Sequence, residues 1–384
     1  MNKKKIGLMT FHASHNNGSM LQALALQHVL RHTYGVDAEI IDFSNAAQRN
    51  MYAPLPRVTN WKKLVKRMLW LTNYRQLHKQ YDDFSGFSQQ YFRLSSRTYR
   101  TADELRADAH RYSAIIAGSD QVWNIRCIDA DDAYYLNFAG EVPRYAYAVS
   151  FGANNPFALQ QETGYYEALL KDFRMISVRE KNAQKWIEQA TGEQVPVCLD
   201  PTMLLDRKQW EELVDVGNTP VITGDYIFYY CFSITEDVQR FLMRTSNKYR
   251  MPVYFLDPKE WTLKSCWRNR IRLVKEYGPA VYMNLVKYAR LFITTSFHGT
   301  AFATIYEKCF WYIKNKDHDP EKDDRALTFL TQLDLLDRFH TIEELDQMDL
   351  LLEIDFEEAY RRLILLRKNA NAFLEKVVRE TLYE

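Results

Sequence analysis

What this chain lacks narrows its class before any motif is read. Cysteine is sparse: Cys127, Cys198, Cys231, Cys266 and Cys309 lie far apart, and no CxxC pair occurs. That argues against both a disulfide framework and a thiolate zinc site. Charge of one sign is missing too, since 50 Lys and Arg face 49 Asp and Glu, leaving +1. A chain so balanced has no field that draws nucleic acid. No apolar run is long enough to span a bilayer, and MNKKKIGLMTF reads as a first strand behind a basic start, not as a secretion signal. Low-complexity tracts and internal repeats are absent. So are GxGxxG, the P-loop lysine motif, HExxH and GxSxG, which removes the usual signatures of dinucleotide, Walker-type, zincin and α/β-hydrolase chemistry. The expectation is a soluble cytoplasmic protein.

What is present can bury sizeable cores. Hydrophobic residues make up 47% of the 384 positions and aromatics 14%, and this length favours two domains over one. Short apolar runs read as strands at Lys5–Met9, Ala38–Asp42, Ala114–Ala117, Tyr145–Ser150, Met175–Val178 and Val195–Leu199. Helical patterns at Ser19–Arg31 and Asn182–Ala190 separate some of them. A looser polar stretch follows, and a second series restarts with strands at Tyr226–Phe232, Val253–Phe255, Leu291–Thr294 and Cys309–Ile313. Its helices fall near Pro279–Tyr288 and Thr300–Glu307. Strands without polar alternation, interleaved with helices, predict parallel sheets covered on both faces. We therefore expect an α/β protein with domains at 1–205 and 224–354, a linker at 206–223, and a cleft facing the carboxyl ends of both sheets. Residues 355–384 form a long amphipathic helix. Asp355 and Glu358 fit a capping box there, and Phe356, Tyr360, Leu363, Leu366, Ala370, Phe373 and Val377 make one apolar stripe.

Residues 61–80, WKKLVKRMLWLTNYRQLHKQ, admit two readings. One is a surface helix whose basic face is solvated and whose apolar face covers the first domain. The other is a basic amphipathic helix resting peripherally on an anionic membrane face.

Candidate chemistry gathers where strands end. After the first strand, Asn16-Asn17-Gly18 is a turn and Ser19 suits a helix cap, so this helix start can hold a phosphate or a sugar hydroxyl. It can equally be a bare turn. His12 and His15 share the loop but lack further ligand candidates for a metal. In AIIAGSDQVWN, the strand ends at Gly118-Ser119-Asp120, where Asp120 either accepts from a sugar hydroxyl or caps a helix. Asp129-Ala130-Asp131 resembles the DxD of metal-dependent glycosyltransferases, although a solvated loop explains it more simply. MISVRE ends with Arg179-Glu180: the arginine either grips a carboxylate or phosphate or pairs with Glu180.

The most informative stretch is LFITTSFHGTAFAT, residues 291–304. A buried strand breaks off at Ser296-Phe297-His298-Gly299-Thr300 and gives way to a helix. Gly299 leaves room for a ligand beside the backbone, the positive helix end favours an anion, and His298 can pass protons near neutral pH. Downstream, Lys314, Lys316 and Arg325 add positive charge that Asp317, Asp319, Asp323 and Asp324 can neutralise.

Taken in order, KIGLMTFHASHNNGSMLQALALQ, AIIAGSDQVWN, YYLNF, RYAYAVSFG, MISVRE, VCLDPTMLL and ITTSFHGTAFATIYEK resemble the polysaccharide pyruvyl transferase family, over residues 5 to about 308. Asn16-Asn17-Gly18-Ser19 departs from that family's commoner Asn-Tyr-Gly-Ala. The resemblance implies a glycosyltransferase-B-like pair of Rossmann-type domains. It further implies transfer of pyruvate from phosphoenolpyruvate to a saccharide, free or lipid-linked, as a cyclic ketal with release of phosphate. On that basis His298 matches the catalytic histidine, and Arg179 and Arg325 are candidate clamps. Ser296, Gly299 and Thr300 complete the phosphoenolpyruvate side, while Asn17, Gly18, Ser119 and Asp120 form the acceptor side. No metal and no cofactor beyond the donor substrate are expected. Two rival functions stay open on the same fold: a nucleotide-sugar glycosyltransferase and a non-catalytic carbohydrate-binding protein.

Overall fold

A computed structural model describes residues 4–383. The first sheet contains β1 (Lys5–Met9), β2 (Asp37–Ile40), β3 (Ala114–Ala117), β4 (Arg144–Val149) and β5 (Phe173–Val178), in the order β2-β1-β3-β4-β5. The second contains β6 (Ile227–Tyr230), β7 (Val253–Phe255), β8 (Arg272–Leu273), β9 (Leu291–Thr294), β10 (Phe310–Ile313) and β11 (Phe339–His340), in the order β11-β10-β9-β6-β7-β8. Every strand pair is parallel. AIIA of β3, IFYY of β6 and LFIT of β9 are buried at every position, as strands covered on both faces must be. The chain folds as two parallel-sheet α/β domains that share one cleft.

Each sheet has one point where the chain reverses direction across it: between β1 and β3 in the first, and between β6 and β9 in the second. Strands on either side of such a point send their following loops apart, which opens a crevice at the carboxyl ends. The loops after β1, β3, β6 and β9 all line one cavity.

Two excursions tie the domains together. The helix Glu357–Tyr383 returns to the first domain, where Arg367 donates to the carbonyls of Met203 and Leu205 and Tyr34 Oη donates to the Asn371 carbonyl. Leu363, Ala370, Phe373 and Val377 of the expected stripe are buried. Asp355 caps this helix through the Glu357 amide, while Glu358 pairs with Arg361 and Arg362 and closes no capping box. In the other direction, helices Trp61–Leu71 and Tyr74–Tyr91 leave the first domain and meet the second: Asn73 Nδ2 donates to Thr262 Oγ1 at 2.6 Å, and Asp83 accepts from the Tyr277 amide. The expectation that 61–80 covers the first domain is therefore corrected.

Other differences are local. Val195–Leu199 forms no strand and makes one bridge, Val178 to Val197, because Pro196 and Pro201 interrupt any longer ladder. Within 206–223 lies the helix Arg207–Leu213, held by an Asp206–Gln209 capping box with Trp210 fully buried, so much of that stretch is packed. The two-residue strands β8 and β11 are too short to leave a periodic signal.

Candidate active site in the interdomain cleft

The cavity between the two sheets measures about 550 Å³. It lies where the positive ends of two helices approach each other. Asn16 caps the first helix, Asn17–His28, by accepting from the Ser19 amide; Ser19, expected as the cap, sits one turn inside. Ser296 caps the second, Phe297–Ile305, by accepting from the Gly299 amide. His298 is thus the second residue of its helix and does not precede a start near Thr300. The amides of Phe297 and His298 belong to the first turn, whose N–H groups have no partner within the helix.

Gly18 and His298 face each other across the domain boundary. A Cβ on Gly18 would lie 2.3 Å from Cγ and Nδ1 of the imidazole, so only glycine allows this approach. Gly299 serves a different purpose from the one expected. The space for its missing side chain is taken by Thr294 Oγ1, which a Cβ would meet at 2.2 Å, so this glycine lets the helix pack on its own strand. Thr300 is likewise no ligand group, because its hydroxyl is buried and donates to the Phe297 carbonyl.

A buried carboxylate organises the centre. Asp200 Oδ2 accepts from Arg179 at 2.7 Å and from Ser119 Oγ at 3.0 Å, and it lies 3.4 Å from His298 Nε2. Its other oxygen accepts from the amide and hydroxyl of Thr202. Burial pushes this carboxyl up, but the His298 imidazole and the Arg179 guanidinium outweigh burial and hold it below the usual carboxylate range. At 3.4 Å, the His298–Asp200 contact is longer than a good charge-assisted bond. His298 Nε2 is buried and makes no hydrogen bond among the described residues, with Asp200 the carboxylate beside it.

Arg179 is therefore not a free clamp. Its side chain is 2% exposed, it is committed to Asp200, it approaches Asp120 at 3.8 Å, and its guanidinium stacks on Phe297 at 4.3 Å. Pairing with Glu180 is the weaker contact, 3.9 Å, because Glu180 Oε1 turns away to accept from the Phe151 amide. Burial, opposed by Arg179 and Arg325, raises the Glu180 carboxyl to about 7.

Of the four expected acceptor residues, two stand behind the wall and two line the cavity. Ser119 is fully buried against Asp200, and Gly18 lies under His298. Asp120 does line the cavity, but it spends its oxygens on Ser19 Oγ and the Gln121 amide. No helix follows it: its backbone is left-handed, φ 77, and bridges to Val149, so it caps nothing. Asn17 also lines the cavity and faces the Tyr230 phenol. Arg325 reaches the cavity as well, held by the two bonds it donates to Asp323.

Asp129 also lines the cavity, where it is buried and accepts from Gln48, while Asp131 caps a short turn through the Ala133 amide. The DxD is thus a packed loop, and no group of three metal-ligating side chains occurs among the described residues. His12 is spent on the Thr10 carbonyl and Asp42. His15 stacks on Phe84 in an aromatic nest, where burial and nearby Lys259 lower it to about 4.

Three contributors were not singled out from the sequence. Asp200 sits in VCLDPTMLL and carries the same signal that flagged Asp120 and Arg179, a polar residue just past a strand-like run. Tyr230 ends β6 and reads as core. Arg126 lines the cavity, is exposed, and takes part in none of the ion pairs among the described residues.

A model of the polysaccharide pyruvyl transferase family matches residues 16–318. No curated protein matches the chain in sequence. Among solved structures, the MnaA–UDP complex from S. aureus aligns at 12% identity, covering 96% of this chain and 97% of that one, with a TM-score of 0.49. The UDP-GlcNAc 2-epimerase of Methanocaldococcus jannaschii aligns at 11% identity, covering 95% and 91%, TM-score 0.49. Acinetobacter baumannii MurG aligns at 11%, covering 98% and 99%, TM-score 0.43.

Proposed function

The chain belongs to the polysaccharide pyruvyl transferase family, and from that premise we propose that it moves the pyruvyl group of phosphoenolpyruvate onto two hydroxyls of a saccharide. The product is a cyclic ketal, and inorganic phosphate is released. The observation that carries this reading is the placement of His298 on a helix N-terminus inside the cleft, beside a buried Asp200–Arg179 pair.

The chemistry asks for a proton donor and acceptor, and for positive charge facing two anionic groups. Protonation of the donor's methylene carbon makes its C2 electrophilic. One sugar hydroxyl adds to C2 and gives up its proton. The C2–O bond to phosphate then breaks, phosphate leaves with the electron pair, and a second hydroxyl closes the ring while losing its proton. One of the two hydroxyl protons balances the proton placed on the new methyl group, and the other leaves with phosphate. His298 carries protons in this sequence, with the Asp200 carboxylate beside its imidazole. A positioned acid–base of this kind supplies roughly 10²–10⁴ in rate. The Phe297 and His298 amides, Arg126 and Arg325 face the donor's phosphate and carboxylate, with the helix end adding its dipole. The acceptor enters on the Asn17 and Asp120 side of the cavity.

The test is incubation with phosphoenolpyruvate and candidate acceptor glycans, followed by phosphate assay and mass spectrometry. A pyruvyl-ketal mass gain with stoichiometric phosphate is the expected result. A hexose gain with nucleotide release, or saccharide binding with no reaction across the acceptor panel, overturns it. In the same assay His298→Ala abolishes transfer while circular dichroism stays that of the wild type; near-wild-type turnover in that variant removes His298 from the chemistry.

A further inference from the structure

The helix Trp61–Leu71 is built inside out. In a helix lying on a protein surface, the apolar stripe faces the core. Here Trp61, Leu64, Val65 and Met68, at the spacing of one helical face, are all exposed, Trp61 at 71% and Met68 at 63%; Leu69 and Leu71 widen the exposed stripe. No residue of the helix is buried. Among the described residues, its one side-chain hydrogen bond to the body of the protein comes from Trp70, roughly 180° around the helix from Trp61. Trp70 Nε1 donates to the Lys259 carbonyl at 3.3 Å, and the Lys259 ammonium lies 5.6 Å from the ring. The helix is nonetheless well formed: Asn60 Oδ1 accepts from the Lys63 amide, and Thr72 Oγ1 donates to the Leu69 carbonyl.

Charge decides what covers this stripe. Lys62 and Arg67 border it, Lys63 and Lys66 lie on the opposite face beside Trp70, the helix contains no acidic residue, and none of the ion pairs among the described residues involves these four cations. A protein partner matching the apolar stripe alone would not need this border. An anionic bilayer surface meets both features, since the apolar side chains enter the acyl boundary while the cations remain among lipid phosphates. Trp61 and Tyr74 are of the types that settle at that boundary.

We propose that the helix Trp61–Leu71 docks this protein peripherally on an anionic phospholipid surface. The position suits the cleft. Lys259, against which Trp70 packs, also donates to the carbonyls of Met51 and Ala53, and Met51 and Tyr52 line the cavity. Through Lys259 the helix is thus joined to the chain segment that lines the cavity.

The test is flotation of the full chain with vesicles of phosphatidylcholine alone and with vesicles of equal parts phosphatidylcholine and phosphatidylglycerol. It requires no substrate, so its outcome is independent of the transferase reading. The wild type is expected to float with the anionic vesicles, less as salt rises, and not with the neutral ones. Lys62→Glu with Arg67→Glu is expected to weaken binding by about tenfold or more. Trp61→Ser with Met68→Ser is expected to weaken it through the apolar stripe. Both doubles lie outside the cleft and should keep the wild-type circular dichroism and melting temperature. Three results overturn the proposal: no flotation of the wild type with anionic vesicles, wild-type binding by both double variants, or a solution dimer that Trp61→Ser with Met68→Ser dissolves.

Discussion

The imidazole of His298 occupies the space that a side chain at Gly18 would need. These residues come from different domains, yet a Cβ at position 18 would stand 2.3 Å from the ring. The approach of the two helix ends is thereby read out at one atom. Gly18→Ala must push the imidazole aside or part the domains. Overpacking of this kind costs about 1–3 kcal/mol, and misplacement of a reacting group by about 1 Å costs on the order of 10² in rate. Gly86→Ala is the control, because it sits within the helix Tyr74–Tyr91 and its Cβ would meet nothing within 4 Å. That change should stabilise by roughly 0.5–1 kcal/mol and leave turnover alone. Equal turnover and melting temperature in the two variants would show that the Gly18–His298 contact has no consequence.

Asp200→Asn keeps the size of the side chain and removes its charge. Arg179 is then left buried without its closest counter-ion, and breaking a buried pair costs roughly 3–5 kcal/mol. His298 also loses the carboxylate beside Nε2, so kcat falls with little change in KM. Chemical denaturation and steady-state kinetics check the two effects separately. A variant as stable as the wild type would show that the Asp200 charge does not hold this centre together.

Glu180 links stability to pH. Its carboxyl is raised to about 7 in the folded protein, from 4.5 ordinarily. Between those values the unfolded chain has released the proton and the folded chain still holds it. Stability therefore falls as pH rises through this window and levels off above about 7. The full effect is on the order of 3 kcal/mol. Asp200 acts the other way and at lower pH: its depressed carboxyl contributes stability that is lost as pH falls below the ordinary carboxylate range. Glu180→Gln should flatten the slope between pH 4.5 and 7. Parallel stability profiles for the variant and the wild type, measured by urea unfolding, would contradict this.

Arg126 is exposed in the cavity wall and in no described ion pair, whereas Arg325 is held by Asp323 and Arg179 by Asp200. A charge-assisted contact to a ligand is worth about 1.5–3 kcal/mol. Arg126→Ala is therefore expected to raise KM for phosphoenolpyruvate by about tenfold or more while kcat changes little. An unchanged KM removes Arg126 from donor binding.

The strands and the loops that follow them were legible in the sequence because they are local facts. KIGLM, AIIA and LFIT are apolar runs without alternation, and burial on both faces leaves that mark on any parallel strand. The break at Ser296-Phe297-His298 was legible for a similar reason, since a cap binds an amide three residues away. Partnership among charges was not. In SVRE the neighbour of Arg179 is Glu180, but successive side chains of an extended backbone point to opposite faces. Arg179 accordingly turns to Asp200 in the cleft, and Glu180 turns to the Phe151 amide. The chemistry of the candidate site rests on contacts between residues far apart in the chain, His298 with Asp200 and His298 with Gly18. The sequence by itself determined the two parallel sheets and which loops end at their carboxyl edges. Only the packing of one sheet against the other decided which side chains meet there, because that depends on how two separately folded cores oppose each other and leaves no periodic trace in either.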